Sequence, residues 1–141
     1  MKRFIRIVCL LVVFASLASF PAYAQEQSSR ASSYFSAYGA YCTKTSSTTV
    51  RVTFQVIGTD TMDEIGAKTI KVQYSSDQVN WTTAKTFNSS SYSSMIDYNT
   101  GMHGAELTCT VPSGKYYRAE VTFYASKGNG FGERIYTTSI I

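Results

Sequence analysis

The stretch Leu107–Tyr124, LTCTVPSGKYYRAEVTFY, decides how the rest of this chain is read. Tyr117, Ala119, Val121 and Phe123 alternate with Tyr116, Arg118, Glu120, Thr122 and Tyr124. A period of two over this length puts one set on a core face and the other toward solvent, as in a half-buried β-strand. Pro112-Ser113-Gly114 closes the strand before it, in which Ala105, Leu107, Cys109 and Val111 face one way.

Working outward, the same period recurs. Val50, Val52, Phe54 and Val56 alternate with Arg51, Thr53 and Gln55, and Ile70, Val72 and Tyr74 alternate with Lys71 and Gln73. Tyr34–Thr43 is a tyrosine-rich strand, Trp81–Phe87 another, and Ile135–Ile141 the last. Ser126–Glu133 reads as a glycine-rich hairpin. Ser75–Asn80 is a turn, and 88–104 reads as a long serine-rich connection whose Tyr92, Met95, Ile96 and Tyr98 pack it down. In the connection 58–68, Thr61-Met62-Asp63-Glu64 has capping-box spacing and predicts a short helical turn. Seven short strands divided by turn signals predict an all-β, seven-stranded antiparallel sandwich of immunoglobulin type over 34–141, with a small barrel as the alternative.

Two stretches are similar to a fibronectin type III domain. One is Ile70–Phe87, IKVQYSSDQVNWTTAKTF; the other is Leu107–Tyr124 with the Gly-Asn-Gly hairpin after it. The resemblance implies that Tyr117 is a corner tyrosine bonded back to the preceding turn, and that Phe54 stands where the family keeps a core tryptophan. The tract GTDTMDEIGAKTI, 58–70, resembles small secreted proteins of unknown function from Gram-positive bacteria. Sandwiches of this kind host many functions, so the resemblance implies a fold and no activity.

The N-terminus carries a different signal. Lys2, Arg3 and Arg6 precede an uncharged apolar run from Ile7 to Phe20, then Pro21 and Ala22-Tyr23-Ala24. Basic head, apolar middle and small residues two apart are the marks of a secretory signal peptide at 1–24. A run of 14 is short of the roughly 20 residues that span a bilayer, so no permanent membrane anchor is expected after cleavage. Residues 25–33, QEQSSRASS, read as a flexible leader. The 141-residue chain has 13 basic and 9 acidic side chains; three basic ones leave with residues 1–24, so ten face nine in the mature chain. That balance excludes the basic stripe of a nucleic-acid binder.

Chemistry is sparse. Cys42 and Cys109 are the two thiols left after processing, and an exported protein can pair them. In the fibronectin-like order, however, their strands flank a third, too far for a bond. His103, the single histidine, has Asp97 and many serines near it, but no nucleophile elbow. Asp60, Asp63 and Glu64 could ligate calcium, although capping uses two of them. No catalytic residue, metal ligand or cofactor site is assigned. Tyrosine is the informative residue. Tyr116 and Tyr124 on the outer face of one strand, Tyr136 expected on the outer face of the next, and Phe131 at the hairpin tip form a candidate binding surface, since aromatics suit sugar stacking and peptide anchoring.

These readings converge on a secreted, non-catalytic module, extracellular or held at the cell surface, that recognises an outside protein or glycan. A structural or adhesive surface component is the alternative, and a small secreted hydrolase a third. Mass spectrometry of the protein from its native host should find Gln25 as the first residue. Retention of Met1 or Lys2 would overturn the export reading.

Overall fold

The computed structural model describes residues 33–141. The expected signal, 1–24, lies outside the described residues, as does the expected leader apart from Ser33. Six strands follow: β1 (Phe35–Ser46), β2 (Thr49–Ser75), β3 (Thr82–Asn88), β4 (Ile96–Thr110), β5 (Tyr116–Lys127) and β6 (Gly130–Thr137). All pair antiparallel within one hydrogen-bonded sheet.

β2 organises the others. Along 49–57 it has β1 on one edge and the 102–110 part of β4 on the other. Along 64–75 it pairs with β5, and its other edge takes residues 96–98 of β4 and then β3. The second and third strands expected from the sequence are thus one strand of 27 residues, which reduces seven strands to six. The helical turn expected at 61–64 is absent for the same reason. Met62 is 1% exposed and belongs to the core, so burial outweighs a local capping signal. Between the pairs Ile57–Met102 and Met62–Thr100, residues 58–61 of β2 stand opposite Gly101 alone. An excess on one strand bends and twists a ladder, and here it turns β2 from one end of the sheet toward the other.

The curled sheet closes over an apolar core. Val50, Val52, Phe54 and Val56 from the first half of β2 meet Ile70 and Val72 from the second, with Val121 and Phe123 of β5. Rings bridge the sheet's two ends: Tyr38 of β1 lies 5.3 Å from Phe123, and Phe54 lies 6.2 Å from it. Each fully buried large side chain is worth about 1.5–3 kcal/mol, and an aromatic pair adds about 0.5–1.5 kcal/mol. Phe54, 2% exposed, lies among these core residues. The architecture is all-β and antiparallel, and its curl is compatible with a β-sandwich.

Two further segments differ from their sequence reading. The connection 88–104 is mostly structured: Ser93–Met95 is a 3₁₀ turn, and β4 begins at Ile96. Met95 anchors it in the core, and its carbonyl comes so close to β2 that a Cβ at Gly66 would lie 2.0 Å from the oxygen. Only glycine permits that approach. The hairpin expected over 126–133 tightens to the two residues Gly128-Asn129, with Lys127 already paired to Gly130. Gly128 takes φ 59°, a left-handed conformation suited to glycine. The last strand ends at Thr137 rather than Ile141. Beyond it, Thr138 still donates to the Ala119 carbonyl, and Ile141 exchanges two backbone bonds of 3.0 Å with Tyr117.

Tyr117 is fully buried, and its hydroxyl donates to the carbonyl of Pro112 in the turn before β5. Its neighbour Tyr116 is 43% exposed. Tyr117→Phe should therefore cost about 1–2 kcal/mol in urea unfolding, because a buried acceptor loses its donor. Tyr116→Phe should change stability by less than about 0.5 kcal/mol. Equal effects would contradict the corner contact.

Candidate functional site

β5 and the second half of β2 carry the face on which a site can be built. On β5 the parity expected from the sequence holds: Tyr117, Ala119, Val121 and Phe123 are buried, and the residues between them face outward. Ion pairs and ring contacts order this outer face from end to end. Arg118 donates to Gln73 at 2.8 Å and lies 4.1 Å from the centre of the Trp81 ring. Next, Lys71 pairs with Glu120 at 3.0 Å, and then Lys68 with Glu133 at 2.8 Å. The Glu133 carboxylate raises the Lys68 pKa, so the ammonium stays charged. Lys68 also lies 5.1 Å from the centre of the Tyr124 ring, which stacks on Phe131 at 6.0 Å.

The four aromatic residues expected to form a binding surface are not all together. Tyr124 and Phe131 are adjacent and outward, and Phe131 is 62% exposed. Tyr116 shares the face but lies eight residues along β5, about 27 Å at roughly 3.4 Å per residue. Tyr136 belongs to the other face. It pairs with core residue Val121, and its ring meets Tyr38 at 6.4 Å. Ile135, 67% exposed, takes the outward position instead. The tight turn at 128–129 fixes this register, and a one-residue change reverses every side chain on a strand.

Beside Tyr124 the surface sinks into a groove of about 480 Å³, lined by Glu64, Lys68, Ser89, Ser90, Ser93, Ile96, Tyr98 and Tyr124. Pairing explains the grouping. Glu64 sits between Tyr98 of β4 and Ser126 of β5, and Gly66 between Ile96 and Tyr124. The Ser93–Met95 turn, drawn in against Gly66, raises the serine wall. The sequence reading did not find this site, because it took 88–104 for a connection. Its signal was the apolar set Met95, Ile96 and Tyr98 inside a polar stretch.

The remaining candidates have structural partners. The His103 Nε2 lies 2.8 Å from the Ser94 carbonyl, which can only accept, so that nitrogen carries a proton. Its ring packs edge-on against Phe54, and its Nδ1 lies 3.7 Å from Asp97. The histidine thus ties β4 to the 3₁₀ turn through a backbone oxygen, not through a serine hydroxyl. Asp60 accepts from Lys127 and the Thr61 N–H, bonds that lower its pKa, and Asp63 accepts from the Gly128 N–H at 2.7 Å. These carboxylates fasten the bulge of β2 to the β5–β6 turn. With Glu64 in the groove, the three carboxylates that could ligate calcium are divided between two tasks, and no group of metal-ligating side chains occurs among the described residues.

Cys42 and Cys109 are both free thiols. They lie on β1 and β4, opposite Val52 and Val50 on the two edges of β2. Two strand spacings, about 10 Å, exceed the roughly 7 Å that a disulfide can bridge. Burial raises the Cys42 thiol pKa, while a hydrogen bond from Thr138 at 3.5 Å opposes the shift. Comparison with known proteins adds no relative: no protein-family model matches the chain, and no curated protein or solved structure is significantly similar to it.

Proposed function

We propose that the chain is an exported, non-catalytic recognition module with an immunoglobulin-like sandwich of fibronectin type III character. Two features support the fold reading. The pairing divides at the bend of β2: β1 and 102–110 of β4 flank residues 49–57, whereas β3 and β5, with β6 beyond it, belong to residues 64–75. The buried hydroxyl of Tyr117 reaches back to Pro112 as a corner tyrosine does. The basic head and apolar run at the N-terminus support export, and with it an extracellular protein or glycan as partner.

The observation that carries the functional reading is the outer aromatic pair Tyr124–Phe131, held in place by the Lys68–Glu133 ion pair. Rings on a rigid strand lose little conformational freedom on binding, which is why anchors of recognition surfaces are so often aromatic. The structural or adhesive alternative also has support: β6 ends the strand order with Phe131 and Ile135 exposed, and such an edge can pair with another chain.

The test is binding to isolated cell walls and to the secreted protein fraction of the native host. Tyr124→Ala and Phe131→Ala should weaken it by about tenfold or more and leave the melting temperature within about 2 °C. Tyr136→Ala, on the inner face, should instead lower stability by about 1–3 kcal/mol. Wild-type binding by both outer variants would reduce these rings to strand formers. Concentration-dependent self-association abolished by a proline at Ile135 would favour the adhesive reading.

A further inference from the structure

We propose that the groove between the 88–95 segment and β5 is a saccharide site, specific for neutral glycans. The inference rests on the recognition-module reading and adds to it a place and a ligand class. Its volume, about 480 Å³, falls within the roughly 300–1,000 Å³ of small-ligand sites. A sugar ring offers apolar C–H faces and a girdle of hydroxyls. It is held where an aromatic ring lies beside groups free to give and accept hydrogen bonds.

The groove supplies both. Tyr98 is 60% exposed at one wall, with Tyr124 across β2 from it. On the same edge of β2 as Tyr98, the segment joining β3 to β4 adds Ser89, Ser90 and Ser93 to the lining, and their hydroxyls make no hydrogen bond to the protein among the described residues. A serine hydroxyl donates one hydrogen bond and accepts two, matching a sugar hydroxyl in either role. The 3₁₀ turn and Met95 hold this wall in place before any ligand arrives.

Charge selects the class. Lys68 is already paired with Glu133, whereas Glu64 makes no ion pair among the described residues. Glu133 and Glu64 both act on the single ammonium of Lys68, so carboxylate is in excess beside the groove, where it accepts from hydroxyls and repels anions. Uronic acids, sulfated sugars and phosphate-bearing polymers are disfavoured. A chain of neutral hexoses or N-acetylhexosamines fits.

Isothermal titration of the mature protein with cellotetraose, mannotetraose, xylotetraose and the N-acetylglucosamine tetramer tests this, with tetragalacturonate as the anionic comparison. At least one neutral tetrasaccharide should bind at millimolar concentration or better and tetragalacturonate should not. Tyr98→Ala should weaken binding by about tenfold or more, and Glu64→Gln should do so less severely while admitting tetragalacturonate. Both are surface substitutions, and circular dichroism should show the wild-type fold. Absence of binding to every neutral sugar, preference for tetragalacturonate, or wild-type affinity in Tyr98→Ala would each overturn the saccharide site. Cell-wall or protein binding lost in Phe131→Ala but kept in Tyr98→Ala would also overturn it, leaving the recognition module standing on its β5–β6 face. Failure of every cell-wall, protein and sugar ligand would overturn both readings.

Discussion

The fold depends on the uninterrupted backbone pairing of β2. It is bonded along both edges for most of its 27 residues, so β1, β3, β4 and β5 all take their positions from it. An unpaired buried backbone group costs as much as a lost hydrogen bond, and a strand this central leaves few of them. Its bend at 58–61 lets one strand serve both ends of the curled sheet. The carboxylates of Asp60 and Asp63 fix that bend against the turn at Gly128. Core, corner and groove all follow from the placement of this strand.

Much of this is legible in the sequence, wherever the period of two is uninterrupted. The alternation in 50–56, 70–74 and 117–123 identifies strands and the buried side of each. Strand order also kept Cys42 and Cys109 apart. Legibility fails where a local signal competes with a long-range one. Thr61-Met62-Asp63-Glu64 has the spacing of a cap, yet the burial of Met62 and the bond from Gly128 to Asp63 hold it extended. At Ile135-Tyr136 two apolar residues stand side by side, and nothing local states which faces the core. The register set by the turn decides it. Serine-rich composition hid the groove, because the features that organise it, Gly66 and Met95, lie on different elements.

The outer face shows how a surface can be ordered without being buried. Lys71 pairs with Glu120 on the adjacent β5 and Lys68 reaches across β5 to Glu133 on β6, and exposed pairs of this kind contribute at most about 1 kcal/mol each. Their effect lies in arrangement more than in stability. Lys68, held by Glu133 over the Tyr124 ring, keeps that ring in place, and Glu64 adds a second carboxylate within its electrostatic reach. The proposed preference for uncharged ligands rests on this arrangement, in which the one ammonium is already engaged by carboxylates.

Cross-strand backbone NOEs in the NMR spectrum of the protein test the threading of β2 most directly. Contacts between Val52 and Leu107 and between Glu64 and Tyr98 should appear together, since β4 follows β2 on both sides of the bend. Helix-type sequential amide contacts over 61–64, or no contact between Glu64 and Tyr98, would mean two separate strands joined by a turn and would remove the groove along with the long strand.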